Sequence, residues 1–144
     1  MTDGAFQKVS RTDKPLYGPR KLLLCGFAAE AQSKFIALLD MIDLAELSLV
    51  WVTADQADLD VGELFKLDNG TGAGLSSQLP RAVIMAGITQ KELHLLMSGR
   101  RQAGMQPALW ATLTPTSETW SLKNLLQELA AERRAMQARK QPQP

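Results

Sequence analysis

Four short apolar runs, KLLLC, LSLVWV, RAVIMAG and PALWATL, lie along the chain with helical patterns between them, and this alternation constrains the fold more than any other feature. A strand that is apolar at consecutive positions is buried on both faces, as happens when helices cover a parallel sheet on both sides. The intervening segments have the matching period. Ala31, Phe35, Leu38, Leu39 and Ile42 recur at three- and four-residue steps, which predicts an amphipathic helix over 28–42. ITQKEL places Thr89 to cap another helix, with Glu92 to complete a capping box and Ile88 and Leu93 to clamp across it. Leu93, Leu96 and Met97 continue its apolar stripe, and Gly104 is placed to end it in a left-handed conformation. Asp60 and Glu63 have capping-box spacing before Leu64, Phe65 and Leu67, which predicts a short helix. Leu122, Leu125, Leu126, Leu129 and Met136 mark the last helix, with Ser121 at its N-cap.

The expected order is therefore β-α-β-α-β-α-β-α. This is a single α/β domain with a four-stranded, mainly parallel sheet covered by helices. No internal repeat is evident in the sequence, and strand order is not legible from it. The chain has 144 residues, enough for one ordinary core. The expected divisions are a flexible extension over 1–20, resting on the body through Leu16 and Tyr17, the α/β domain over 21–132, and the end of the last helix with a basic tail over 133–144.

Charge is distributed unevenly. Residues 22–132 carry 13 acidic and 7 basic side chains, a net of −6, and both ends of the chain are basic. The ends read as solubilising segments; nucleic-acid binding through them is the less favoured reading, because neither interleaves aromatics with its charges. No apolar run suits a signal peptide or a bilayer span, so a cytoplasmic protein without membrane contact is expected. One cysteine and one histidine leave no internal disulfide and no ready metal site, so neither metal nor cofactor is expected.

In a parallel sheet, ligands gather where the carboxyl ends of the strands meet helix N-termini. That edge offers Gly26, Thr53, Asp55, Gly87, Thr114 and Ser117 as candidate ligand-binding residues, each of which also has a plain structural use in its own turn. GTGAG at 70–74 follows a helix and precedes a strand, the reverse of a phosphate-binding loop, and reads as a flexible surface loop. Cys25 lacks the C-x-x-C of a redox centre and the arginine of a phosphatase loop, and reads as a buried structural thiol. His94 has no companion at ligand spacing, and Thr114 and Ser117 have no histidine near them in sequence to activate them.

LLLCGF, PRAVIMAGITQKELHLLMSGRR and PALWATLTPTSETWSLKNLLQELAAE together resemble a small family of bacterial domains of unknown function. Its marks are G-F after a strand, a strand ending in Gly before a helix, and a late T-P-x-x-x-x-W element. The matching positions are Gly26, Phe27, Gly87, Thr114, Pro115 and Trp120, and the resemblance spans about 22–132. It implies one compact α/β domain and brings no activity with it; the glycine loop at 70–74 is an expansion of the pattern.

With no catalytic set, the favoured reading is a noncatalytic protein-interaction or regulatory domain that binds another protein or itself through a helix face or sheet edge. The alternative is a small-ligand or nucleotide-binding module, enzymatic or not, at the carboxyl ends of the strands.

Overall fold

A computed structural model describes residues 14–140. The elements are β1 (Lys21–Cys25), α1 (Ala29–Met41), β2 (Ser48–Val52), α2 (Val61–Leu64), β3 (Ala82–Ala86), α3 (Gln90–Gln102), β4 (Leu109–Thr112) and α4 (Leu122–Lys140). Short 3-10 turns at Ala54–Gln56 and Ser117–Thr119 follow β2 and β4. Lys8 and Arg11 of the basic N-terminal segment, and the closing QPQP, lie outside the described residues.

The four strands form one sheet in the order β2-β1-β3-β4. β1 runs parallel to β2 and β3 parallel to β4, but the central pair, β1 and β3, is antiparallel. Each parallel pair is a strand-helix-strand unit, and the two units meet through β1 and β3, which run in opposite directions. The sheet is α/β and mostly parallel, as its apolar strands demand, yet it does not gather four carboxyl ends along one edge.

Both faces are covered. On one, Leu22, Leu24, Val83 and Met85 pack with Phe35, Leu38 and Leu39 of α1 and Leu96 of α3. Phe27, Phe35 and Trp51 meet there edge to face, with ring centroids 5.5, 5.6 and 6.3 Å apart. On the other face, Leu23, Cys25, Val50 and Ile84 pack against Val61 and Leu64 of α2 and Leu122, Leu125 and Leu126 of α4. Truncating a fully buried side chain such as Phe35 in a core of this kind costs about 3–5 kcal/mol.

The helix signals hold in detail at α3. Thr89 Oγ1 accepts from the Glu92 N–H at 3.1 Å, and the Thr89 N–H donates to Glu92 Oε1 at 2.9 Å. Gly104 follows with φ +69°. Ser121 Oγ likewise accepts from the Asn124 N–H at the start of α4. Asp60 differs from the expectation: its side chain caps nothing, and the residue instead bridges Ser121 through the backbone.

The chain is built from two copies of one unit. β1, α1 and β2 begin at Lys21, Ala29 and Ser48, and β3, α3 and β4 begin at Ala82, Gln90 and Leu109, each 61 residues later. The left-handed Gly26 and Gly87 correspond at φ +75° and +65°, as do Asp43 and Gly104 at +65° and +69°. Pairing follows the same rule: Leu23 stands opposite its own counterpart Ile84, and Asp60 opposite its counterpart Ser121. Val61 N–H donates to Trp120 O while Leu122 N–H donates to Leu59 O, each bond the image of the other. These are the contacts of a two-fold axis through the centre of the sheet. The repeat is faint in the sequence because few matched positions keep an identity, as Gly26 and Gly87 or Thr53 and Thr114 do, while most share only a conformation or a burial class.

The outer edge of β2 is closed. Leu49 N–H donates to Asn69 Oδ1 (2.8 Å), Gly70 N–H to Leu49 O (2.8 Å) and Trp51 N–H to Thr71 O (2.9 Å). The expected loose loop at 70–74 is therefore laid along the strand as a cover. The buried Gln32 holds its far end, its Oε1 accepting from Gly74 N–H and its Nε2 donating to Leu75 O. At Gly72 a Cβ would stand 2.0 Å from Trp51 O, so only glycine allows the loop so close.

Candidate functional site

The antiparallel centre of the sheet splits the predicted ligand edge in two. Gly26, Thr53 and Asp55 lie beyond the ends of β1 and β2, whereas Gly87, Thr114 and Ser117 lie beyond the ends of β3 and β4, on the opposite side of the sheet. The expectation of one shared edge fails because it assumed four parallel strands; a strand of five residues separates the groups by roughly 16 Å.

Most of these residues are occupied locally. Gly26 lies against the backbone of Leu79, Pro80 and Arg81, and Gly87 against that of Gly18 and Arg20. Thr53 N–H donates to Gln56 Oε1 at 3.0 Å, and its hydroxyl donates to Asp55. Thr114 and Ser117 bond each other reciprocally, Thr114 N–H to Ser117 Oγ and Ser117 N–H to Thr114 Oγ1, both at 3.0 Å. Thr53 and Thr114 are counterparts in the repeat and close the same turn. Trp120 packs against the second core cluster, and Phe27 belongs to the first. Pro115 sits in the turn between β4 and the 3-10 turn that follows.

Leu16 and Tyr17 lie on the body, Leu16 N–H donating to Ile88 O and Gly87 N–H to Tyr17 O. Arg20 then makes two parallel bonds to Glu92, both at 2.7 Å, and a 2.6 Å contact with Glu46. The Arg20 guanidinium holds the Glu92 carboxyl below the usual carboxylate range. Cys25 is fully buried, and burial pushes its thiol up to about 12, where no thiolate forms at neutral pH. Among the described residues no group of three His, Cys, Asp or Glu stands close enough to hold a metal ion.

Two surfaces stand out among the described residues. The first is the outer edge of β4. Leu109 and Leu113 donate their N–H groups to Arg81 and Met85 of the β3 segment, so by alternation the backbone of Trp110 and Thr112 faces away from the sheet. Trp110 and Thr112 are the counterparts of Leu49 and Trp51, which the glycine loop covers. Here the second unit continues as helix α4 instead, and among the described residues no backbone group pairs with that edge. A groove of about 350 Å³ runs beside it, lined by Met97, Ala108, Trp110, Leu129, Arg133 and Met136 among others. Met136 is 52% exposed. The run PALWATL marks Trp110 as a strand residue, but the open edge depends on strand order, which has no local mark in the sequence.

The second is a polar cavity of about 360 Å³ between the start of α1 and the end of α3, where Glu30, Lys34, Arg81 and Gln106 meet. Ala28 at the N-cap has no polar side chain to offer, and Ser76 Oγ accepts from the Ala29 N–H. Arg81 lies 4.4 Å above the Phe27 ring and makes no ion pair among the described residues. Burial lowers its pKa.

Residues 81–136 match the model of a family described as "Domain of unknown function (DUF3783)". The matched stretch starts just before β3 and ends within α4, so it takes in the second unit of the repeat and leaves the first outside. No curated protein and no solved structure matches the chain. None of the helices among the described residues is long and apolar enough to cross a membrane.

Proposed function

We propose that the chain acts as a noncatalytic protein-interaction domain, with the outer edge of β4 and the adjoining groove as its docking surface. The observation that carries this reading is the difference between two equivalent edges. The first unit spends a whole loop on covering Leu49 and Trp51, whereas the second leaves the outward backbone groups of the half-buried Trp110 and Thr112 unpaired among the described residues, with a largely apolar groove beside Trp110. An uncovered strand edge beside an apolar groove is a template for adding another strand. Thr53, Thr114 and Ser117 are hydrogen-bonded within their own turns and Cys25 is buried, so none of these four offers an activated nucleophile. A photoreactive residue at Met136, beside the groove, is expected to trap a polypeptide that the same residue at Met41, 76% exposed elsewhere, does not. Equal trapping at the two positions would remove this reading.

A second reading has one observation in its favour. Arg81 and Lys34 meet the start of α1 in the polar cavity, an arrangement suited to a small anion, although Glu30 lines the same space. On that reading, inorganic phosphate raises the melting temperature and Arg81→Ala abolishes the rise; no shift with phosphate or a nucleotide panel excludes it.

A further inference from the structure

Resting on the docking surface just proposed, we infer that its occupant is a second copy of this chain, joined by antiparallel pairing of β4 with β4 about a two-fold axis at Ala111. The exposed backbone is self-complementary. Trp110 and Thr112 each present one outward N–H and one outward carbonyl, two residues apart. With Ala111 opposite its own copy, Trp110 N–H donates to the carbonyl of the other copy's Thr112, and that Thr112 N–H donates back to Trp110 O. The same two bonds recur across the axis, so every outward group of the strand is used.

Three further features agree. Ala111 is small, so the closely spaced pair at the axis brings no bulk together. The groove carries one acid, Glu132, and one base, Arg133, so two copies meet without an excess of either sign. The chain also already pairs one unit with the other in this manner, counterpart against counterpart at Leu23 and Ile84. Copying the operation at β4 extends the sheet to eight strands and stops there. The far edge, β2, is covered by residues 69–71, so the assembly closes as a dimer and cannot grow into a fibre.

The test is sedimentation velocity of the full chain at rising concentration, with Thr112→Pro and Met136→Glu beside it. Proline at 112 removes an outward N–H that makes no bond within the sheet, and Met136 lies on an exposed helical turn, so at least one variant keeps the fold, as circular dichroism will show. The expected result is a dimer at tens of micromolar for the parent and at least tenfold weaker association for each folded variant. A parent that stays monomeric, or folded variants that dimerise as tightly as the parent, overturns the inference. If the parent is monomeric while a photoreactive residue at Met136 still traps a different polypeptide, the copy-to-copy inference falls and the docking surface stands. If it is monomeric and nothing is trapped, both fall.

Discussion

The Trp51 N–H donates to the carbonyl of Thr71 at 2.9 Å, and this bond marks the difference between the two ends of the sheet. One edge strand is closed by its own loop; the other ends the sheet with its outward backbone groups unpaired among the described residues. The loop depends on glycine. Gly72→Ala puts a Cβ into the Trp51 carbonyl at a residue with φ +79°, whereas Gly74→Ala at φ +85° meets nothing within 4 Å. The left-handed conformation alone costs about 1–2 kcal/mol in each. Urea denaturation is expected to show Gly74→Ala losing about that much and Gly72→Ala clearly more. Light scattering should also show Gly72→Ala associating beyond a dimer, because its second edge is then open.

The Cys25 thiol is expected to be inert to a thiol reagent at pH 8 in the folded chain and to react fully in denaturant. Its raised pKa has a second consequence. The folded state keeps the proton through a range where the unfolded thiol has lost it, so stability falls as pH rises from about 9 towards about 12. Cys25→Ala removes that contribution. Denaturation measured across this range should give parent and variant different slopes, with the steeper fall in the parent.

Arg20 joins the segment before β1 to the start of α3 through Glu92, whose side chain is 18% exposed. Arg20→Ala is expected to cost about 1–2 kcal/mol near neutral pH, as for a partly exposed charge-assisted pair. The sign with pH follows from the lowered Glu92 pKa: the contribution is full above the ordinary carboxylate value of about 4.3 and is lost as pH falls through the lower folded value. Parent and variant should therefore converge in stability in acid.

Much of the architecture was legible because burial and capping are local signals. The strand KLLLC, the stripe from Phe35 to Leu39 and the Thr89–Glu92 box each announce themselves within a few residues. The candidate ligand edge was not legible. Its six residues were found at real strand ends, but whether Gly26 and Gly87 share an edge depends on the direction of β3 relative to β1, a long-range choice with no local mark. The open edge was hidden for the same reason. Trp110 looks like any core strand residue until β4 is known to be outermost, and nothing in GTGAG shows that it lies along Trp51.

Amide hydrogen exchange, read residue by residue while the chain is diluted, tests the central claim most directly. In the monomer the Trp51 amide, held by Thr71, should be protected and the Trp110 and Thr112 amides should exchange freely; raising the concentration until dimer forms should protect both. If Trp110 and Thr112 are already protected where the chain sediments as a monomer, the edge is covered from within and the account of β4 as a docking strand is contradicted.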